Sequence, residues 1–307
     1  MSTKILVATE KPFAKEAVDG IRSIITEAGF ELALLEKYTS VDELYKAVAD
    51  ASALIVRSDK VTREVIEHAP NLKIVVRAGA GFDNLDLEAC TEKGIVAMNT
   101  PGQNSNAVAE LAAGLMIFLY RNSFTAGTGK ELKGKKLGIH AYGNVGMNVA
   151  RIAKGIGMEI YAYDAFCPKE VIEKDGAVAL DSAEELYKTC DVVSLHIPAT
   201  TETKSSINYA LLNTMPKGAM LINTARKEVI NEAELEKLMA DRTDFKYATD
   251  IMPANHEAMT QFGARYFATP KKMGAETAEA NVNAGLAAAR QIVDFIKTGN
   301  KKFQVNK

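Results

Sequence analysis

The chain has no tryptophan and only three cysteines among its 307 residues. Cys90, Cys167 and Cys190 are far apart, odd in number and not in C-x-x-C spacing, which argues against a disulfide framework and a structural zinc site. We therefore predict no metal site. Unpaired cysteines of this kind favour the reducing cytoplasm as the place where the protein works.

Long hydrophobic runs are also lacking. The longest apolar run extends only from Leu111 to Tyr120, about half of the roughly 20 residues that a membrane span requires. The first residues, MSTKILVATEK, become charged before an apolar stretch of signal-peptide length can form. The sequence therefore predicts neither a targeting segment nor a membrane partner.

The chain also has no excess of positively charged residues. Lysine and arginine total 37 and aspartate and glutamate total 39, which leaves a net charge of −2. Binding to nucleic-acid phosphates needs many basic side chains on one face, so this balance argues against a nucleic-acid partner.

Short β-branched runs alternate with amphipathic stretches along the whole chain, a pattern typical of βαβ units around a parallel sheet. A length of 307 residues is enough for about two domains. A first series predicts strands near Lys4–Ala8, Glu31–Leu35, Ala53–Arg57, Lys73–Arg77 and Ile95–Met98. A second series predicts strands near Lys136–His140, Glu159–Tyr163, Ala177–Leu180, Asp191–His196, Ala219–Asn223 and Lys246–Thr249.

Two helices stand out in this pattern. Residues Asn106 to Arg121 are apolar on nearly every side, which predicts a buried helix between two domains or two subunits. Thr277–Lys297 is a long Ala-rich helix followed by the turn residues Gly299 and Asn300. It suggests that the C-terminus returns to the first domain.

A nucleotide motif opens the second series. The strand LGIH is followed by the turn Ala141-Tyr-Gly-Asn-Val-Gly146 and a helix, and Asp164 closes the next strand. Glycines in such a turn let the pyrophosphate approach the helix N-terminus, and the later acid binds ribose hydroxyls, which favours NAD over NADP. Ala141 stands where the first glycine is expected. The predicted cofactor contacts here are Gly143, Asn144, Val145, Gly146 and Asp164.

Six ordered segments carry a family resemblance: VRAGAGFDN at 76–84, NTPG at 99–102, VAE at 108–110, AYGNVG at 141–146, SLHIP at 194–198 and INTAR at 222–226. On these residues the chain resembles the NAD-dependent D-2-hydroxyacid dehydrogenases. The resemblance implies two doubly wound α/β domains with the active site in the cleft. A Rossmann-type nucleotide domain (99–275) would be inserted into a flavodoxin-like substrate domain (1–98 plus 276–307).

The resemblance also implies roles for residues outside the turn. Arg226, which follows a predicted strand, would hold the substrate carboxylate and the C2 oxygen as a planar fork. Taken alone, such an arginine is more often part of a surface ion pair. The further cofactor contacts that the resemblance implies are His196, Pro198, Thr224, Ala225, Asp250, Gly274 and Ala275.

The family's catalytic histidine is missing. It normally stands in a Pro-His-x-Gly-Ala setting, where this chain has Pro270-Lys-Lys-Met-Gly-Ala275. Counting back from Gly-Ala gives Lys272 as the acid–base residue, whereas counting forward from Pro270 gives Lys271; we prefer Lys272. The glutamate that would orient the histidine is replaced by Asn255, with Glu257 the nearest carboxylate. To accept a proton, Lys272 must be partly neutral, which burial and the Arg226 cation would promote.

Substrate contacts are predicted at the ends of two strands of the first series and before the apolar helix. Arginine forks there would suit a phosphorylated 2-hydroxy acid, although Arg57 and Lys60 could instead pair with acids such as Asp59 or Glu64. Backbone N–H groups at a helix start favour an anion. The predicted substrate contacts are Arg57, Ser58, Arg77, Ala78, Gly79, Asn104 and Ser105.

Within the family the chain is most similar to short members that oxidise D-3-phosphoglycerate to 3-phosphohydroxypyruvate, the first step of phosphorylated serine biosynthesis. The alternatives are a glyoxylate/hydroxypyruvate or D-lactate type of dehydrogenase, or a non-catalytic NAD-sensing protein on the same fold. The apolar helix and the resemblance predict a homodimer. The length predicts no appended serine-sensing domain.

Overall fold

The computed structural model describes residues 3–306, which divide into two compact units. The first contains the chain up to Asn104 together with Glu276 onwards, and the second is Ser105–Ala275. The second unit therefore interrupts the first in sequence. We predicted the change of domain after residue 98.

Every strand pairing within the two sheets is parallel. The strands are β1 Lys4–Thr9, β2 Glu31–Glu36, β3 Ala53–Val56, β4 Ile74–Arg77, β5 Val96–Asn99, β6 Lys136–His140, β7 Glu159–Tyr163, β8 Val178–Ala179, β9 Val192–Leu195, β10 Met220–Asn223, β11 Lys246–Thr249 and β12 Tyr266–Ala268.

Helices connect the strands, as parallel pairing requires. They are α1 Lys15–Glu27, α2 Val41–Val48, α3 Arg63–Glu67, α4 Leu87–Glu92, α5 Ser105–Tyr120, α6 Asn144–Gly155, α7 Lys169–Lys174, α8 Ala183–Thr189, α9 Tyr209–Asn213, α10 Glu232–Asp241, α11 His256–Met259 and α12 Ala278–Thr298. Within residues 3–306, no helix is long and apolar enough to cross a membrane.

The first unit is a five-stranded sheet in the order β2-β1-β3-β4-β5, the flavodoxin-like order. Helix α12 packs on α1 of this unit, where a Cβ on Gly20 would lie only 2.4 Å from the Leu286 side chain. The last residues seal the β5 edge, because the Asn306 side chain accepts from the Ala97 N–H at 2.8 Å. The C-terminus thus belongs to the first unit.

The second unit is a seven-stranded sheet in the order β12-β11-β10-β9-β6-β7-β8. The chain starts at β6, moves outward to β8, and then returns to β9 on the other side of β6, which is the Rossmann arrangement. Ligands of such sheets bind beyond the carboxyl ends of the strands at this reversal. The fold class is therefore the predicted one, with a flavodoxin-like and a Rossmann-type sheet.

Helix α5 packs within the second unit, against α6, β10 and β11. Its buried residues include Ala109, Ala112 and Met116, whereas Ile117 is 39% exposed. The nearly continuous apolar surface is thus explained mainly by the core of one unit. The short elements for which the sequence pattern predicted no bounds are β12 and the helices α3, α4, α7, α9 and α11.

Two histidines lie near the carboxyl ends of β6 and β9. The Nδ1 of His140 is 3.2 Å from the Tyr187 hydroxyl, and the Nε2 of His196 is 2.9 Å from the Ser194 hydroxyl. Burial lowers the pKa of His140 to about 4 and that of His196 to about 3. Both imidazoles are therefore neutral at physiological pH, which removes them as proton donors in a reaction there.

The two histidines with lowered pKa values, His140 and His196, make stability depend on pH. In the unfolded chain a histidine has a pKa of about 6.5, so between that pH and 4 the unfolded state binds more protons than the folded one. We expect the free energy of unfolding to fall on acidification from pH 6.5, by at most about 1.4 kcal/mol per pH unit for each histidine. Urea unfolding at pH 7.0, 6.0 and 5.0 measures this slope.

The variant His140→Gln should make the slope shallower, because glutamine does not titrate. His68→Gln is the matched control, since His68 is exposed. An identical slope in wild type and His140→Gln would contradict the assignment.

Candidate nucleotide and catalytic site

The turn between β6 and α6 leads directly into the N-terminus of a helix. Ala141 has φ +80°, a left-handed conformation that costs a residue with a Cβ and explains why glycine is usual there. Its N–H donates to the Tyr163 carbonyl at 2.8 Å, which ties the turn to β7. Gly143 is the N-cap of α6, and Asn144 and Val145 are its first residues.

The two glycines of the turn, Gly143 and Gly146, are required for different reasons. A Cβ at Gly146 would lie 2.4 Å from the Ala141 carbonyl oxygen, so this glycine allows the helix to pack against the turn. A Cβ at Gly143 would meet nothing within 4 Å. The protein itself therefore has no need of glycine at position 143, and the open space lies where a pyrophosphate would approach the helix N-terminus.

The carboxylate of Asp164 holds this turn from the end of β7. One oxygen accepts from the Tyr142 N–H at 2.6 Å, and the other accepts from Phe166 and Cys167 at 2.7 and 2.9 Å. A carboxylate has about four lone-pair sites, so it can still accept from a ribose hydroxyl. The nearby Lys169 forms a salt bridge with Asp181, which leaves Asp164 as the charge that sets this end of the site.

Further polar atoms lie beyond the carboxyl ends of β9, β10 and β11. His196 and Pro198 follow β9, and Thr224 and Ala225 follow β10. The Thr224 hydroxyl is buried and has no hydrogen-bond partner among the described residues. A buried hydroxyl without a partner is costly, so it indicates that a ligand group completes the site.

Asp250 follows β11 and is fully buried. Its Oδ2 accepts from the Gly274 N–H at 2.8 Å, and its Oδ1 has no partner among the described residues. Burial raises the pKa of Asp250, while the Gly274 N–H and the positive charges of Lys272 and Arg226 oppose that shift. Both cations are thus close enough to act on one carboxylate. A Cβ at Gly274 would lie 2.7 Å from Oδ2, which explains the glycine.

Arg226 is exposed and is positioned by its own turn. The Asn223 side chain closes that turn, because Oδ1 accepts from Ala225 N–H and Nδ2 donates to the Arg226 carbonyl, both at 3.0 Å. The Arg226 guanidinium donates to the Ala225 carbonyl at 2.9 Å and makes no salt bridge with a described residue. Its charge is available to an anion.

Lys272 and Lys271 are both exposed, and Ala275 follows the buried Gly274. The structure therefore does not give Lys272 the burial that we expected to neutralise its amine. Asn255, at the position of the orienting glutamate, donates to Glu236 at 2.9 Å and to the Glu232 carbonyl at 3.1 Å. His256 is engaged with the Tyr266 hydroxyl at 2.8 Å.

In the first unit, the Arg57 guanidinium is held only by neutral acceptors among the described residues. It donates to the carbonyls of Lys11 and Pro12 at 3.1 and 3.2 Å and to the Asn281 side chain at 2.6 Å. Asp59 does not pair with it, because that buried carboxylate accepts from backbone N–H groups and the Tyr38 hydroxyl. The predicted alternative of a surface pair with Asp59 or Glu64 is therefore wrong for Arg57.

Arg77 is the last residue of the neighbouring strand β4, and its side chain extends to the backbone of Arg57. Its Nε donates to the Arg57 carbonyl at 3.0 Å. The guanidinium covers Gly79, where a Cβ would lie 1.6 Å from Nη1 and where φ is +154°. Ala78 and Gly79 continue the chain from β4, and Ser58 is exposed beside Arg57. The two arginines thus lie at the carboxyl edge of one sheet.

Asn104 and Ser105 lie where the chain passes from one unit to the other. Ser105 is the first residue of α5 and is 2% exposed, whereas Asn104 is half-buried. Sequence reasoning missed Asn281, which lies 224 positions from Arg57, and Asp59 as an anchor of the Arg57 backbone. Nothing in the local sequence pattern could reveal the first, while Arg57-Ser-Asp is a short-range signal for the second.

The second unit thus fits a dinucleotide. It offers a helix N-terminus with open space at Gly143, an acid after β7, and the unsatisfied oxygens of Thr224 and Asp250 beyond the neighbouring strands. In contrast, residues 3–306 contain no group of three or more His, Cys, Asp or Glu side chains placed to hold a metal ion.

Comparisons with known proteins agree with this geometry. Residues 107–270 match the family described as the D-isomer specific 2-hydroxyacid dehydrogenase, NAD binding domain. The crystal structure of NAD+-bound 3-phosphoglycerate dehydrogenase from Entamoeba histolytica has a TM-score of 0.87 and 50% identity, and covers 100% of this chain and 99% of that one.

Two curated relatives differ in their named activities. The chain is 38% identical over 274 residues to D-3-phosphoglycerate dehydrogenase from Methanocaldococcus jannaschii, covering 83% of this chain and 52% of the relative. It is 36% identical over 281 residues to hydroxypyruvate reductase from Thermotoga maritima, covering 85% of this chain and 90% of the relative. The chain thus spans about half the length of the first and most of the second. It belongs to the NAD-dependent D-isomer specific 2-hydroxyacid dehydrogenase family.

Proposed function

We propose that the protein oxidises D-3-phosphoglycerate to 3-phosphohydroxypyruvate with NAD, the first step of phosphorylated serine biosynthesis. The observation that carries the proposal is the pair of cations, Arg226 and Lys272, whose charges act on the buried carboxylate of Asp250 at the carboxyl end of β11. Similarity to the Entamoeba histolytica enzyme supports the choice of substrate.

NAD is held by the α6 N-terminus near Gly143, by Asp164 on the ribose, and by Asp250 at the reacting end. When bound, NAD supplies the acceptor for the hydride that leaves C2 of the substrate. The Oδ1 of Asp250, which has no partner among the described residues, would accept a hydrogen bond from the carboxamide of the cofactor. This fixes which end of the ligand lies beside Arg226 and Lys272.

Arg226 and Lys272 have different roles at the C2 atom of the substrate. The Arg226 guanidinium binds the substrate carboxylate and the C2 oxygen, and stabilises that oxygen as it becomes a carbonyl. The neutral Lys272 amine removes the C2 hydroxyl proton while the C2–H bond gives up its hydride. One hydride and one proton leave, so two electrons are removed and the carbinol becomes a ketone.

Arg57 and Arg77 recognise the phosphate. The carboxyl edge of the first unit's sheet presents two guanidinium groups, and among the described residues that of Arg57 donates to carbonyls and an amide oxygen but to no carboxylate. A phosphate dianion would supply the missing negative charge through bidentate hydrogen bonds. Ser58, Ala78, Gly79, Asn104 and Ser105 complete the proposed substrate contacts.

A second candidate is the reduction of hydroxypyruvate. The Thermotoga maritima relative with that name is matched over 90% of its length. An unphosphorylated substrate would make the same contacts with Arg226 and Lys272 but would need neither Arg57 nor Arg77. The comparison of phosphorylated and unphosphorylated substrates therefore separates the two functions, and NADH formation with either one argues against a non-catalytic NAD sensor.

We also propose a homodimer that works in the cytoplasm. Phe124 is 70% exposed, its ring lies 5.1 Å from that of Phe118 on α5, and Ile117 of the same helix is 39% exposed. These apolar side chains give a second copy of the chain a surface to cover. The free thiols of Cys90, Cys167 and Cys190 suit a reducing compartment.

Substitution of the two glycines separates packing from cofactor binding. Gly143→Ala should leave the melting temperature unchanged, because the new Cβ meets no protein atom within 4 Å. It should weaken NAD binding by about tenfold or more, because it fills the approach to the helix N-terminus. Gly146→Ala should instead destabilise the fold by about 1–3 kcal/mol. Calorimetry and NADH fluorescence titration measure both, and unchanged NAD affinity in Gly143→Ala would refute the placement.

Loss of the proposed base should stop turnover without loss of the cofactor. Lys272→Ala should lower kcat by about 10²–10⁴-fold and leave NAD affinity within about twofold of wild type, because the residue acts on the C2 proton. In wild type, kcat/KM should rise towards alkaline pH, since a free lysine amine has a pKa of about 10.4.

Lys271→Ala is the matched control and should stay active. Loss of activity in Lys271→Ala alone would transfer the role to that residue. A pH profile that already reaches its plateau near pH 6.5 would favour a histidine, such as His256.

The phosphate contact predicts a substrate-specific defect. Arg57→Ala should lower kcat/KM for D-3-phosphoglycerate by about 10–100-fold, the value of a lost charged hydrogen bond, and change the rate with D-glycerate little. Arg57→Lys keeps the positive charge but loses the planar guanidinium, so its kcat/KM for D-3-phosphoglycerate should lie between those of wild type and Arg57→Ala. Steady-state NADH release measures both substrates. Equal losses for the two substrates would indicate that Arg57 is only structural, and would favour the hydroxypyruvate candidate.

A further inference from the structure

A second cationic site lies at the opposite edge of the Rossmann sheet. Gly218 precedes β10 and Lys246 begins β11, and both line a cavity of about 480 Å³. Arg226 and Asp250 follow the other ends of the same two strands. With a rise of about 3.3 Å per residue, each four-residue strand separates the two places by about 10 Å. The cavity is therefore distinct from the nucleotide and catalytic site.

Four of the residues lining this cavity are cations: Lys130, Lys217, Lys246 and Arg265. None of the four forms a salt bridge with a described residue. The one carboxylate in the lining, Asp244, is already matched, because it pairs with Arg242 at 2.7 Å and accepts from the Gly218 N–H at 2.5 Å. The cavity thus holds about four uncompensated positive charges.

The inner two cations are fixed in place with donors to spare. Lys246 Nζ donates to the Leu119 carbonyl at 2.6 Å and to Asn122 at 3.3 Å, which leaves one of the three ammonium donors. Arg265 donates through Nη1 to three backbone carbonyls, and no described residue accepts from its Nη2 or Nε. Burial, and to a smaller extent the charge of Lys130, lowers the pKa of Lys246.

The outer two cations lie at the rim. Lys130 and Lys217 are exposed, and a Cβ on Gly218 would lie 3.4 Å from Lys130 Nζ. Long flexible ammonium groups over a fixed ammonium and guanidinium suit a compact anion with several oxygens. The cavity volume lies within the range of small-molecule sites, about 300–1,000 Å³. Clustered cations without counter-charge repel one another, so an anion is what the arrangement lacks.

We propose that this cavity is a second binding site for a small phosphate-bearing anion, held by Lys130, Lys217, Lys246 and Arg265. The site is independent of the proposed dehydrogenase reaction and would bind a diphosphate or a phosphate monoester.

Calorimetric titration with pyrophosphate tests the site. The titration uses the full chain in the Arg57→Ala background with saturating NAD, so that the nucleotide turn is filled and the proposed phosphate contact of Arg57 and Arg77 is weakened. We expect about one pyrophosphate per chain, and at least about tenfold weaker binding when Lys130→Gln and Lys217→Gln are combined. Both lysines are exposed, so the double variant should fold.

Lys73→Gln combined with Lys93→Gln is the matched control, because it removes the same net charge at exposed positions of the other unit. It should keep the wild-type affinity. Equal weakening in the two double variants would reduce the effect to overall charge, and the absence of pyrophosphate binding to the parent chain would overturn the site. Inorganic phosphate in place of pyrophosphate distinguishes a single phosphate group from a diphosphate.

Discussion

The hydrogen bond between the Gly274 N–H and the Asp250 carboxylate is the contact on which the catalytic end of the Rossmann unit depends. It joins the end of β11 to the segment that carries Lys272, at 2.8 Å and out of solvent. The carboxylate is costly to bury, and that N–H and the charges of Lys272 and Arg226 reduce the cost without cancelling it, because the pKa of Asp250 is still raised. Removal of either cation would make the buried acid less stable as an anion.

Two groups in this arrangement, the Asp250 carboxylate and the Arg226 guanidinium, can each interact with a bound ligand. The Oδ1 of Asp250 has no hydrogen-bond partner among residues 3–306, and Arg226 presents a guanidinium that forms no salt bridge with a described carboxylate. A ligand that donates to the first and carries a negative charge near the second satisfies both at once. An oxidised nicotinamide cofactor and a 2-hydroxy acid are ligands of these two kinds, which is why the proposed reaction fits the site better than cofactor binding alone.

The fold and the strand-end positions were predictable because parallel βαβ units leave a regular pattern. β6, β7 and β11 begin and end at the predicted residues, and Arg226 and Asp250 follow strands as expected. The contacts of Arg57 were not predictable, because Asn281 reaches it across 224 positions of sequence. The cationic cavity was also missed, since its lysines and arginine come from four separate segments that share no local motif. Short helices such as α11 carry too few residues for periodicity to register.

The replacement of histidine by lysine explains why no glutamate is needed at position 255 to orient the proposed base. An imidazole needs a partner to select its tautomer and its orientation. An ammonium group has no tautomer, and a carboxylate beside it would stabilise the charged form that cannot accept a proton. The structure agrees with the absence of an orienting carboxylate at this position. Asn255 lies there instead, and its amide donates to Glu236 and to the Glu232 carbonyl. Since Lys272 is exposed, the proposed reaction requires that its neutral amine be favoured by the positive charge of Arg226 and by the exclusion of water when substrate and cofactor bind.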